Sequence, residues 1–176
     1  PSGDSESNSG NSFNQKSQIV NSKQRDFHDD GWGLSYNDNT VAFGLDDTSG
    51  DHRITLLAPA GVSMEGEWWI AVGAWTADGG DGNPRFGLWL YDRDGNQVAS
   101  HEIAGQNASP AVIGAFSSPR ANNGLAFGAL AYDVTARNLD GHIAAVHLYD
   151  VPADRTLARR LASDFARRFT SDAGPE

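Results

Sequence analysis

The chain of 176 residues contains no cysteine. Disulfides, thiolate nucleophiles and cysteine-ligated zinc are therefore excluded together. The redox compartment stays open, because a domain of this size can rely on its core rather than on cross-links. No stretch reaches the roughly 18 consecutive apolar residues that span a bilayer, so membrane insertion is not expected. A positively charged leader is also missing, and a first residue Pro1 rather than Met is what a processed product would show. Positive charge is short as well: 13 Lys and Arg stand against 23 Asp and Glu, a formal net charge of −10. Nucleic acid and anionic membrane are thus not expected partners, since neither gains from counterion release or surface attraction.

What is present speaks for packed sheets. Hydrophobic residues make up 39%, enough for one well-cored domain, and 20 glycines exceed what helices tolerate. Residues 1–17, PSGDSESNSGNSFNQKS, hold Phe13 as their one large apolar side chain and read as a flexible polar arm. From Gln18 the texture changes to short apolar or alternating runs: QIV (18–20), GWGLSY (31–36), TVAFGL (40–45) and RITLLAP (53–59). Trp32, Leu34 and Tyr36 share one face, as do Val41, Phe43 and Leu45, with a hairpin turn at Asn37-Asp38-Asn39 between them. GEWWIAVGAW (66–75) is apolar on both faces and predicts a central strand covered on both sides. FGLWLYDRDGNQVASHEIAG (86–105) is a hairpin around Asp94-Gly95, and AVIGAF (111–116), GLAFGALAYDV (124–134) and IAAVHLYD (143–150) complete the series. Strands at this spacing, with turn chemistry between them, describe an all-β antiparallel sandwich or barrel.

One helix is expected, over 154–169, with Asp154 as its N-cap after the turn at Pro152. Leu157, Leu161, Phe165 and Phe169 recur every four residues and, with Ala158, Ala162 and Ala166, form one apolar stripe. Burying the four large side chains is worth about 6–12 kcal/mol as an upper bound. The helix therefore has to dock on its own sheets or on a neighbour. It carries five Arg against two Asp, a charge of +3, which leaves −13 on the rest of the chain. The plain reading is a solvated face with cations favoured near the C-terminus. The sharper one is an interface in an oligomer through Arg155, Arg159 and Arg160, with Phe13 of the arm.

In their order along the chain these segments resemble a known family. GEWWIAVGAW resembles the tryptophan-and-valine strand of laminin-G-like, concanavalin A-like jelly rolls, GLWLYDRDGNQVAS their hairpin, and AVIGAF the short strand after it. LDGHIAAVHLYDVPADRTLARRLASDF (139–165) resembles the closing strand and terminal helix, and QIVNSK with GWGLSY an early strand pair. The resemblance covers residues 18–169. It implies a two-sheet antiparallel jelly-roll sandwich over 18–170, including a short C-terminal helix, with a tail at 171–176. Family members usually carry strands ahead of the QIVNSK equivalent; here the polar arm stands in that place, and a bare sheet edge would need cover.

The family hosts glycosidases, which need two carboxylates across a cleft. Their Glu-x-Asp-x-x-Glu strand is absent, and the five glutamates are Glu6, Glu65, Glu67, Glu102 and Glu176. No catalytic residue is assigned, and His28, His52, His101, His142 and His147 stand singly with no nucleophile motif beside them. Calcium is the cofactor expectation, and no other is made. Asp78 and Asp81 come first, then Asp46, Asp47 and Asp51, because aspartate and turn carbonyls are hard oxygen ligands; Asp and Asn are equally the default residues of metal-free turns. For a glycan the platforms would be Trp32, Trp75 and Trp89, with Trp68 also in view. Trp68 and Trp69, being adjacent on a strand, point to opposite faces. The expected function is a non-enzymatic binding or assembly module of an extracellular or virion surface protein, recognising a glycan or a protein surface. The alternative is a subunit of a homo-oligomer or phage-like assembly whose sheet a partner chain completes. A polysaccharide-active enzyme stands third.

Overall fold

A computed structural model of the protein describes residues 17–23, 31–37, 39–47, 50–57, 61–76, 85–104, 126–127, 139–151 and 154–172. The alternating runs form strands β1 (Ser17–Lys23), β2 (Gly31–Asn37), β3 (Thr40–Asp47) and β4 (Gly50–Leu57). Then follow β5 (Trp69–Thr76), β6 (Arg85–Asp92), β7 (Gln97–Ala104) and the short β8 (Ala126–Phe127). The helix α1 runs over Arg155–Asp172. The strands make two antiparallel sheets, one in the order β4-β3-β2-β1-β8 and one in the order β5-β6-β7.

The two hairpin turns form where turn chemistry placed them. Asn37 pairs with Thr40, and Asn39 takes the left-handed conformation (φ 59°) that asparagine tolerates. Its side chain does more than turn the chain. Oδ1 accepts the Met64 amide at 2.8 Å, Nδ2 donates to the Val62 carbonyl at 3.4 Å, and Trp69 Nε1 donates to the Met64 carbonyl at 3.2 Å. The crossover from one sheet to the other is thereby pinned at both ends, with Met64 buried in the core.

In the second hairpin Asp92 organises the turn. Its carboxylate accepts from the Asp94 and Asn96 amides (3.0 and 2.8 Å) and from Asn96 Nδ2 (3.0 Å), while the Gly95 amide donates to the Asp92 carbonyl. Desolvation alone would raise the pKa of this carboxyl; the hydrogen bonds from Asn96, Asp94 and Gly95 outweigh it and hold it below the usual range. Gly95 has φ 83°, and a Cβ there would sit 3.3 Å from Ala166 Cβ and from Ser163 Cα of α1. Gly95→Ala is therefore expected to cost about 1–2 kcal/mol from the left-handed backbone alone. A fall in the urea midpoint checks this, and an unchanged midpoint would contradict the turn geometry.

Side-chain alternation divides β6 between two clusters. Phe86, Leu88 and Leu90 meet Val41, Phe43 and Met64, with the Phe43 and Phe86 rings 5.4 Å apart, so one cluster draws on both sheets. Trp89 and Tyr91 face the other way, onto Ala158 and Ala162 of α1. β5 is likewise covered on both faces, Trp69, Ala71 and Trp75 against the first cluster and Ile70, Val72 and Ala74 against the second. Among the described residues, however, it lies at the edge of its sheet, and all eight of its residues are only half-buried, whereas β6, between β5 and β7, is buried from Phe86 to Tyr91. Apolar residues on both faces reflect what covers a strand, not what pairs with it.

Three further expectations change. β1 pairs with β2 on one side and with β8 on the other (Val20 opposite Phe127), so it is interior and its outer side is not a bare edge. Residues 143–150 form no ladder, although their pattern is that of a strand. Ile143 and Val146 are the half-buried pair within that stretch, a spacing of three rather than two, and Leu148 and Tyr149 are exposed. In α1 the fully buried stripe is Ala158, Ala162 and Ala166, which lets the helix approach Trp89 and Tyr91 closely; Leu157, Leu161 and Phe165 are only half-buried and Phe169 is exposed. Because the helix continues to Asp172, its last turn has no basic residue and Arg155 lies in its first turn. AVIGAF, the arm 1–16, the tail 173–176 and most of GLAFGALAYDV lie outside the described residues.

Candidate functional site

Asp154 caps α1 as its sequence position predicts: Oδ1 accepts the Leu157 amide at 2.8 Å and its carbonyl accepts from Ala158. Arg155, next in line, sits where the helix dipole disfavours a cation. Glu102 of β7 offsets that by accepting from Arg155 Nε at 2.7 Å. The same carboxylate oxygen accepts from Trp89 Nε1 at 2.9 Å. Glu102 thus ties the helix start to the sheet, and Arg155 is engaged within its own chain. Arg159 and Arg160 are exposed, and Arg167 pairs with Asp164 one turn before it. Beneath the helix the Tyr91 phenol is wholly buried with no hydrogen-bond partner. Burial drives its pKa up to about 12, against the pull of Arg155 and Arg159 and with a further push from Glu102.

Of the expected glycan platforms, Trp89 is 2% exposed under α1, and neither ring face is open. Trp32 and Trp75 are half-buried against the shared cluster. The tryptophan left outside is Trp68, 45% exposed, whose neighbour Trp69 turns into the core. It stands 5.8 Å from the Phe169 ring and 6.5 Å from His142. A second set adjoins it: His147 meets Phe165 edge-on at 4.6 Å, and its Nδ1 lies 3.1 Å from the Tyr149 hydroxyl.

These rings line a groove of about 1080 Å³ bounded by β2 and β3 of the first sheet (Trp32, Tyr36 and Phe43 among them), residues 64–73, residues 139–149 and the Leu161-Phe165-Phe169 flank of α1, so that Trp32 of the expected platforms also borders it. Glu65, Glu67, Asp140 and Arg93 stand on its polar margin. Apolar walls with a few polar groups at the rim are the ordinary make-up of a ligand site. Of the five histidines, His142 and His147 line this groove, because the segment carrying them and the helix are consecutive in the chain. The spacings were visible, His147 and Tyr149 two apart and Phe165 and Phe169 four apart, but not what would lie opposite.

Asp46 is paired by backbone register with Asp51, and Asp47 with Gly50, so these three expected calcium ligands gather at one end of the β3–β4 hairpin. Their side chains, together with Asp78, Asp81 and Phe13, lie outside the described residues. Among the described residues no three His, Asp or Glu side chains form a metal-sized group, and no helix is long and apolar enough to cross a membrane. Compared with known proteins, the chain matches no family model, no curated protein and no solved structure.

Proposed function

We propose that the chain is a jelly-roll-type β-sandwich acting as a non-enzymatic binding module of an extracellular or virion surface protein, and that a glycan lies in the groove beside Trp68. The observation that carries this reading is the open indole of Trp68 beside Phe169 and His142, in a groove with carboxylates at its margin. A pyranose ring presents an apolar face that stacks on such a surface, while its hydroxyls hydrogen-bond to rim groups. The shared cluster of the two sheets and the strand series support the sandwich, and the resemblance of the ordered segments supports the family. An acidic body, with Glu65, Glu67 and Asp140 at the groove's margin, suits a neutral saccharide better than a polyanionic one.

A broad glycan array tests this directly. Saturable retention is expected, reduced about tenfold or more by Trp68→Ala, a loss of about 1.4 kcal/mol. Trp68 is exposed, so the variant is expected to fold. No retained glycan, or equal retention by the variant, sinks the reading. Calcium belongs to the same proposal, through Asp78 and Asp81 first and Asp46, Asp47 and Asp51 second, and a chelator is expected to lower retention.

A further inference from the structure

The stretch 142–149 has the composition and alternation of a strand, yet it runs unpaired along one wall of the groove. Trp69–Gly73 of β5 line the same groove, and the outer edge of that strand has no neighbour among the described residues. A strand-like segment outside any ladder and a strand edge thus border one groove, and strand pairing is what satisfies the backbone donors and acceptors of such segments. The present arrangement also leaves Leu148 and Tyr149 more than half exposed, at 56% and 54%. Two ring contacts engage the segment as it stands, His142 with Trp68 and His147 with Phe165.

We infer that residues 142–149 are a strap that closes along Trp69–Gly73, adding a fourth strand to the β5-β6-β7 sheet and emptying the groove. Closure exchanges the two ring contacts for ladder hydrogen bonds and moves the segment from a burial spacing of three to the spacing of two written in its sequence. The segment is long enough for this, eight residues against the five of β5 that line the groove. This inference does not depend on what the groove binds.

Amide hydrogen exchange, read residue by residue on the intact protein, decides it. In the unpaired arrangement the amides of 142–149 and the outward amides of Trp69–Gly73 exchange at nearly free rates. Closure slows alternate amides in both stretches, by about a hundredfold or more. Protection in both stretches supports the strap; free exchange in either overturns it. Val146→Pro is the second arm, because proline cannot complete a ladder. It is expected to free the outward amides of β5 while β6 and β7 keep their protection, and unchanged β5 protection overturns the inference. If β6 and β7 lose protection too, the variant has unfolded and the wild-type exchange decides alone.

Discussion

Trp89→Ala is expected to destabilise the protein by about 3–5 kcal/mol, the usual cost of emptying a fully packed aromatic site. The indole is 2% exposed between β6 and α1, and it makes three kinds of contact that disappear together. It packs with Tyr91 against Ala158 and Ala162, so its loss undercuts the stripe on which the helix rests. It donates to Glu102, the carboxylate that also holds Arg155, so one end of the helix latch loosens. Its six-membered ring also lies over Gly87, where a Cβ would come within 2.2 Å of the ring carbons.

That last contact supplies an internal control. Gly87→Ala in the wild-type chain overpacks the site and is expected to cost about 1–3 kcal/mol. In the Trp89→Ala background the added methyl has room, so most of this cost should vanish, a coupling that only neighbouring residues show. Urea unfolding followed by circular dichroism measures all four proteins. A loss below about 1 kcal/mol for Trp89→Ala, or additive effects of the two changes, is incompatible with the ring lying on Gly87 beneath the helix.

Trp89 also marks how far the sequence could be read. Its strand, its hairpin and the Asp94-Gly95 turn follow from local signals, alternation and a residue that accepts positive φ. The Asp154 cap and the Asn39 turn are legible for the same reason, since each is fixed within a few residues of itself. Choosing which tryptophan is exposed is a different problem. Adjacent Trp68 and Trp69 must point oppositely, but which of them turns inward depends on the Met64 carbonyl that receives the Trp69 indole, and Met64 is set by Asn39, 25 residues earlier.

The place of β5 is hidden for a related reason: its residues declare the sheet beneath and the helix above, and nothing in them declares that, among the described residues, the strand has a neighbour on one side alone. Residues 143–150 carry a strand pattern without naming a neighbour, and the groove they line draws on β2, β3, β5 and α1 together, which no local signal in the sequence brings into one place. The alanine stripe of α1 is visible in the sequence, but the larger leucines and phenylalanines draw attention first. Only the presence of two large aromatics on β6 explains why small residues make the closer interface.

Those aromatics also predict an alkaline limit to stability. The Tyr91 phenol ionises at about 10 when unfolded and at about 12 in the native protein, because the buried site disfavours the phenolate. Below pH 10 both states keep the proton and the native protein has its full stability. Between about 10 and 12 the unfolded chain has released the proton and the native one has not, so each rise in pH favours unfolding. The integrated loss is about 3 kcal/mol, complete once the pH passes the native value. Other tyrosines and the lysines also titrate in this range, so Tyr91→Phe is the comparison that isolates the effect. At neutral pH the variant should be as stable as wild type or about 1 kcal/mol more so, since it removes a buried hydroxyl with no hydrogen-bond partner. As pH rises, its urea midpoint should fall less steeply than that of wild type, and the two curves should diverge above pH 10. Curves that stay parallel to pH 12 would mean that the phenol reaches water or a partner, and that α1 does not seal this face of the sheet.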